Sequence, residues 1–225
     1  SSTTVDLRYV LDAARADRLA GRYEEALEKH VWYYENALKH RPPLSGVRLS
    51  IALSEWRRLV DAYPPALEKL KEVRDTVREA VKDDSGGFDA FHDFAKISRA
   101  LDEEYKTIEL FEWLDANNPS AAEYAYIAAE DALVAAGKYE LCGKYIDGIH
   151  SYRREEEIYR FRLKNIEDDS IGNEGLTHAR KRYSYDIALL VALLVKNNRS
   201  AEATKIADWA LRDWEGHVDE QQILH

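Results

Sequence analysis

A thiol and an imidazole on one predicted helix are the first residues that could do chemistry. Cys142 and His150 are eight residues apart, which places both on roughly one face of a helix, and a cysteine next to a base is a common nucleophile. Cys142, however, stands where packed helices favour a small residue, and free cysteine is among the most buried residue types. Packing is the favoured interpretation, so the sequence predicts no catalytic residue and no enzyme.

Carboxylate and imidazole side chains that recur at helical spacing are the next candidates, because such pairs could bind a metal ion. A helical di-metal site needs two Glu-x-x-His elements and two further inward glutamates. None of the pairs in this chain has that pattern, so we expect no metal site and no cofactor. The pairs are Asp89 with His92, Asp147 with His150, Glu174 with His178, and Asp213 with His217.

Two basic clusters stand out from the rest of the chain. One lies within Arg153–Lys164 around Glu155–Glu157, and the other is Arg180–Arg182 beside Tyr183 and Tyr185. Basic side chains interleaved with aromatic ones can bind single-stranded RNA, but the glutamates of the first cluster favour a solvated helix face with i to i+4 ion pairs. The whole chain has 32 Lys and Arg against 42 Asp and Glu, a net charge of −10. That charge repels duplex phosphates, so we expect no DNA partner.

Helices are the elements that must position these residues. The chain has 225 residues, 45% of them hydrophobic and 33% charged, and its 10 Gly and 5 Pro are too few for a fold of many short strands. Apolar residues recur at spacings of three and four, which predicts an all-α protein. The longest apolar run, Ile187 to Val195, is far shorter than the roughly 20 residues that cross a bilayer. With no signal segment at its start, the sequence predicts a cytoplasmic protein without a membrane partner.

Turn and stop residues divide the predicted helices into five antiparallel hairpins of a single domain, 1–225. Pro64 and Pro65 suit a helix start, and the residue before Pro119 is pushed out of the α region. Ser120 with Glu123 has the pattern of a capping box. Short connections make each pair of helices fold back on itself. The predicted pairs are 5–20 with 22–40, 45–63 with 64–82, 88–100 with 103–116, 120–136 with 138–166, whose continuity Gly143 and Gly148 leave open, and 174–196 with 200–215.

A recurrent order of small and large residues runs through these hairpins. Small residues let neighbouring helices approach, and bulky ones fill the gaps one turn away. The order is Gly21, Tyr23, Ala26, Tyr34, Ala37, Leu38 and Pro42 in the first hairpin, and Tyr126, Ala129, Gly137, Tyr139 and Cys142 in the fourth. This succession resembles the tetratricopeptide repeat (TPR) family over most of the chain. The resemblance implies a right-handed superhelix, or solenoid, of about five hairpins.

The resemblance also implies where a ligand binds, because the first helix of each TPR hairpin lines a concave groove that accepts peptides. Transferring that register gives a surface on which basic residues predominate, suited to an acidic or C-terminal peptide held by arginine forks on its carboxylates. The leading hypothesis is therefore a non-catalytic protein-binding scaffold. The predicted peptide-binding residues are Arg8, Arg15, Arg18, Arg48, Arg58, His92, Lys96, Arg99, Tyr124 and Tyr185.

Two alternative functions stay open. One is an all-helical enzyme or small-ligand-binding protein with a polar pocket around His92, Lys96, Arg99 and Asp131, which a pocket closed to water would favour over an open trough. The other is a structural homo-oligomer. The run from Ile187 to Val195 makes one helix apolar all round, and an end repeat has no next repeat to cover it. We expect either the tail 216–225 or, preferably, a homodimer through the C-terminal hairpin to cover it.

Overall fold

The chain is helical throughout the part that the structure describes. The computed structural model describes residues 7–40, 48–87, 89–168 and 172–223, with the side chains at 8, 37–40, 48–49, 167–168, 172–173 and 215–223 left out, and no strand occurs in these ranges. The all-α prediction is confirmed. The described helices are α1 (Leu7–Leu19), α2 (Tyr23–His40), α3 (Leu53–Ala62, after a π-helical turn Arg48–Ala52), α4 (Pro65–Lys82), α5 (Ala90–Ala100), α6 (Tyr105–Asn117), α7 (Pro119–Ala135), α8 (Tyr139–Tyr145), α9 (Gly148–Asp168), α10 (Gly172–Lys196) and α11 (Ser200–Ile223).

The helices form two compact units, Ser1–Ala132 and Leu133–His225. In the first unit α1 packs against α2, α3 against α4, and α5 against α6, and α4 also packs against α5. In the second unit α10 packs against α11, and α9 packs along α10. Helices that follow one another in the chain therefore pack together in both units.

The predicted helix 138–166, whose continuity the sequence leaves open, is interrupted in the structure. Ile146 leaves the helical conformation with φ −70° and ψ 120°. The Oδ1 atom of Asp147 then accepts the backbone N–H of His150 at 2.9 Å, so Asp147 caps the start of α9. An aspartate cap satisfies a donor that the first helical turn leaves unpaired. The segment therefore forms two helices, and Cys142 and His150 lie on different ones.

Two clusters of apolar side chains form the core of the first unit. The larger one joins α2 to α5 around Trp56, whose indole N–H donates to the carbonyl oxygen of Ala66 at 3.1 Å. His30 stacks on this indole with ring centroids 5.8 Å apart, and Leu59 and Leu70 are fully buried beside it. The smaller cluster holds α1, α2 and the π-helical turn together through buried residues. This core fixes α5, which carries several of the predicted site residues.

The start of α7 is capped by a different residue from the predicted one. The side-chain oxygen of Asn118 accepts the backbone N–H of Ala121 at 3.2 Å, and Pro119 occupies the first helical position, where its missing N–H costs nothing. Ser120 therefore lies inside the first turn. The capping-box prediction is wrong by two residues because asparagine before proline is itself a strong cap.

Replacing Asn118 by alanine is expected to lower the free energy of unfolding by about 1 kcal/mol, the usual cost of losing a helix cap. Ser120→Ala is the matched control, since the Ser120 side chain is exposed and should change stability by no more than about 0.5 kcal/mol. Urea unfolding of both variants measures the difference. A larger loss of stability for Ser120→Ala than for Asn118→Ala would show that Ser120 caps the helix, as the capping-box prediction states.

Candidate functional site

The structure brings some of the predicted site residues together and separates others. His92, Lys96 and Arg99 of α5 face Asp131 of α7 across one cleft. Tyr124 lies about two turns earlier on α7. The remaining predicted residues lie outside this cleft: Arg15 and Arg18 on α1, Arg58 on α3, and Tyr185 on α10 of the second unit, while the side chains of Arg8 and Arg48 lie outside the described residues.

The cleft lies between α5 and α7, above the start of α6, and has a volume of about 330 Å³. It is open to solvent, because the side chains of Arg99 and Asp131 are 50% and 69% exposed. Ile127 on its α7 wall is also 51% exposed. An open trough is the arrangement that favours a scaffold over an enzyme with a closed pocket.

Ion pairs inside the cleft decide which cation is available to a ligand. The Nε atom of Arg99 donates to Glu104 at 2.6 Å, and its guanidinium lies 3.6 Å from Asp131. Among the described residues Lys96 makes no hydrogen bond or ion pair, although it lines the same cleft. Both carboxylates are thus engaged by Arg99, and the Lys96 ammonium is the charge left for an anionic group.

The other predicted arginines are less available than the sequence suggests. Arg58 is paired with Glu55 of its own helix at 2.5 Å, so a ligand carboxylate must compete with an existing partner. Arg18 is half-buried, and its Nε atom is buried without a partner in the described structure. Arg15 is exposed. The described basic surface is therefore narrower than a continuous groove of free arginines.

A second pocket, which the sequence analysis missed, lies beside the polar cleft. It has a volume of about 320 Å³ and is formed by the ends of α4 and α6 and the beginnings of α5 and α7. Its floor is apolar, with Val81, Phe91 and Leu114 buried. Tyr124 lines it and is 66% exposed. Four helix ends form the pocket. The spacing of apolar residues describes each helix separately, so it does not predict a pocket that several helices form together.

The cysteine and metal candidates do not assemble into sites. Cys142 is fully buried on α8, whereas His150 is exposed on α9, so the packing interpretation of Cys142 is supported. In the described part of the chain, no group of three or more His, Cys, Asp or Glu side chains could hold a metal ion. Nor does any described helix combine the length and the apolar character needed to cross a membrane.

Two of the five basic residues in the first cluster form ion pairs in the described structure, one of them at the predicted i to i+4 spacing. Arg160 lies 2.5 Å from Glu156 one turn earlier, and Arg154 lies 3.0 Å from Glu155. In the second cluster Arg182 pairs with Asp186 at 3.0 Å. Each such pair reduces the positive charge available to an RNA backbone, because binding it requires unneutralised lysines and arginines.

The apolar run on α10 is mostly covered by its own unit. Leu190, Leu193 and Leu194 are buried, and the exposed part is a narrow strip on one face. That strip is the surface which the expected homodimer would use, and the side chains of the tail 216–225 lie outside the described residues. The exposed residues of the strip are Tyr185, Ala188, Ala192 and Val195.

Comparison of the chain with protein-family models, with curated proteins and with solved structures found no match. The likeness to tetratricopeptide repeats accordingly rests on the residue order described above.

Proposed function

We propose that this protein is a non-catalytic scaffold built from TPR-like hairpins, and that the groove between α5 and α7 binds an extended segment of a partner protein. The groove comprises the polar cleft and the apolar pocket beside it. The observation that carries the proposal is the exposure of two large apolar side chains, Tyr124 and Ile127, next to an open cleft. In the proposed superhelix α5 and α7 are the first helices of consecutive hairpins, the position that lines the concave side.

The groove has the composition of a protein-binding surface. Exposed apolar side chains that cluster at a concavity mark interaction sites more often than scattered ones do. Burying them returns about 25 cal/mol for each Å² of apolar surface removed from water. Lys96 adds a cation that an acidic residue of the partner can neutralise. A segment with both apolar and acidic side chains fits this surface better than a purely acidic one.

One observation favours a second candidate function. The four residues predicted for a polar pocket, His92, Lys96, Arg99 and Asp131, do line one cleft, so a small anionic molecule is the alternative ligand. The wide opening of the cleft argues for the scaffold, because sites for small molecules bury most of the ligand surface.

Replacing both Tyr124 and Ile127 by alanine is expected to weaken peptide binding at least tenfold, since truncating the few anchor residues that dominate an interface costs about 2 kcal/mol or more. Dodecapeptides would be selected on the intact chain from a random phage-displayed library, and their dissociation constants measured by fluorescence polarisation. Thermal stability should stay unchanged, because both side chains are solvent-exposed.

The matched control removes two exposed apolar side chains elsewhere, Tyr105 and Leu211, and should leave binding as it is. Selected peptides that bind the groove variant as tightly as the unchanged chain would place the binding surface elsewhere. A library that yields no binder, together with binding of citrate or phosphate that Lys96→Ala abolishes, would favour the small-ligand alternative.

A further inference from the structure

The two pockets of the groove are lined by the same face of α7 at positions two helical turns apart. Each α7 residue of the apolar pocket has a counterpart in the polar cleft seven positions later. At 1.5 Å per residue, seven positions span about 10.5 Å. The counterparts are Ser120 and Ile127, Ala121 and Ala128, Tyr124 and Asp131, and Ala125 and Ala132.

The two pockets demand different side chains from a ligand. The apolar pocket, with Val81, Phe91 and Leu114 in its wall, has room for one large apolar side chain. The polar cleft offers the ammonium of Lys96, while its own carboxylates, Glu104 and Asp131, are engaged by Arg99. Charge complementarity therefore favours a carboxylate in the second pocket.

The separation of the pockets limits the conformation of the ligand. In a polyproline II segment, residues i and i+3 point to the same side and lie about 9.3 Å apart. In a β-strand, residues three apart point to opposite faces. An α-helix spans a similar distance only between residues seven positions apart. For the extended segment of the proposed function, the polyproline II geometry therefore fits pockets whose α7 residues lie about 10.5 Å apart.

We infer that the ligand is a protein segment in a polyproline II-like conformation, with a large apolar residue and an Asp or Glu three positions apart. This inference rests on the proposed function and goes beyond it, because it specifies the pattern of the partner. The apolar side chain occupies the pocket at Phe91, and the carboxylate pairs with Lys96.

The test uses fluorescein-labelled decapeptides of Pro, Ser and Gly that carry one Leu and one Asp at separations from one to seven positions, in both orders. Fluorescence polarisation with the intact chain should give the tightest binding at a separation of three. Binding there should be about tenfold tighter than at two or four, since a hydrogen-bonded charge contributes about 1.5 kcal/mol.

Two variants assign each pocket to its side chain. With Lys96→Ala, the Asp of the peptide should no longer increase its affinity, whereas the Leu still should. Lys71→Ala, on α4 and outside both pockets, should leave both increases in affinity unchanged. Ala121→Leu should fill the apolar pocket, so the Leu of the peptide should no longer increase its affinity, whereas the Asp still should. Ala116→Leu, exposed on α6, is its control, and circular dichroism checks that both leucine variants are folded.

Each alternative outcome has a distinct meaning. An optimum at any other separation would overturn the inferred conformation. Equal binding at every separation would overturn the two-pocket pattern. So would pocket variants that still bind more tightly when the peptide carries Leu and when it carries Asp. If library-selected peptides still need Tyr124 and Ile127 in those cases, the proposed function stands and this inference alone fails.

Discussion

Replacing Gly143 by alanine is expected to lower the free energy of unfolding by about 2 kcal/mol, although alanine favours a helix over glycine by about 1 kcal/mol. A Cβ atom on Gly143 would lie 2.0 Å from the side chain of Asn197. The Asn197 amide donates to the carbonyl oxygens of Tyr139 at 2.9 Å and Leu193 at 2.8 Å. Displacing it loses both hydrogen bonds, about 1 kcal/mol each, and strains the packing by about 1 kcal/mol or more. Urea unfolding measures the change.

A double variant provides the control for this prediction. Asn197→Ala removes the three side-chain atoms nearest to the added Cβ. In that background Gly143→Ala should no longer destabilise, and the gain in helix propensity should raise stability by up to about 1 kcal/mol. If Gly143→Ala stabilises the otherwise unchanged chain, the close approach of Asn197 does not hold in solution.

Helix starts and stops that depend on local chemistry were predictable from the sequence. Pro65 begins α4 at its first position. Gly21 and Gly137 occupy turns with φ of 77° and 71°, a conformation that glycine adopts without steric cost. These features depend on one or two residues and their neighbours in the chain. Local pattern therefore sufficed for them.

The interruption between α8 and α9, in a segment whose continuity the sequence leaves open, depends on distant residues as well as on the Asp147 cap. Arg199, in the turn before α11, donates to the carbonyl oxygen of Ile146 at 2.8 Å and pairs with Glu202. A Cβ atom on Gly148 would lie 2.3 Å from Glu202. Gly143 and Gly148, which lower helix propensity, are thus positions where α11 and the preceding turn approach closely.

Half of the candidate site followed from helical register. His92, Lys96 and Arg99 share one face of α5, and the prediction that they lie near Asp131 agrees with the structure. The pairing of Arg99 with Glu104 could not be foreseen, because it depends on side-chain geometry across the turn between α5 and α6. The apolar pocket was missed because four helix ends must meet to form it.

The preference for an acidic partner changes when these pairs are taken into account. Arg58 and Arg99 are each paired with a glutamate, and exposed pairs of this kind contribute about 0–1 kcal/mol. Each arginine can exchange its glutamate for a ligand carboxylate at little cost in free energy, but the exchange also contributes little to binding. Lys96 is the described cation of the groove without such a pair. Affinity should therefore come from apolar anchoring, with a single carboxylate adding selectivity.

Acidification is expected to destabilise the first unit through His30 before the carboxylates are protonated. His30 is 2% exposed, and its Nδ1 atom is buried without a partner in the described structure. Burial, with a smaller effect from Arg18, lowers the pKa of His30 from 6.5 to about 4. Since the folded pKa is the lower one, the unfolded chain binds more protons between these values. The stability contributed by neutral His30 is complete above pH 6.5 and is lost as the pH falls towards 4.

Between pH 7.5 and 4.5 this loss should reach about 2.5 kcal/mol, at 1.36 kcal/mol per pKa unit, measured by urea unfolding at the two pH values. The lower limit stays above the range of Asp17, whose pKa is held below 3.8 by its hydrogen bonds with Lys29 and Arg22. His30→Phe keeps a ring stacked on Trp56 and removes the titrating group, so most of the pH dependence should disappear. His150→Phe, at an exposed position, should retain it. An unchanged loss of stability in His30→Phe would mean that another group causes the acid sensitivity.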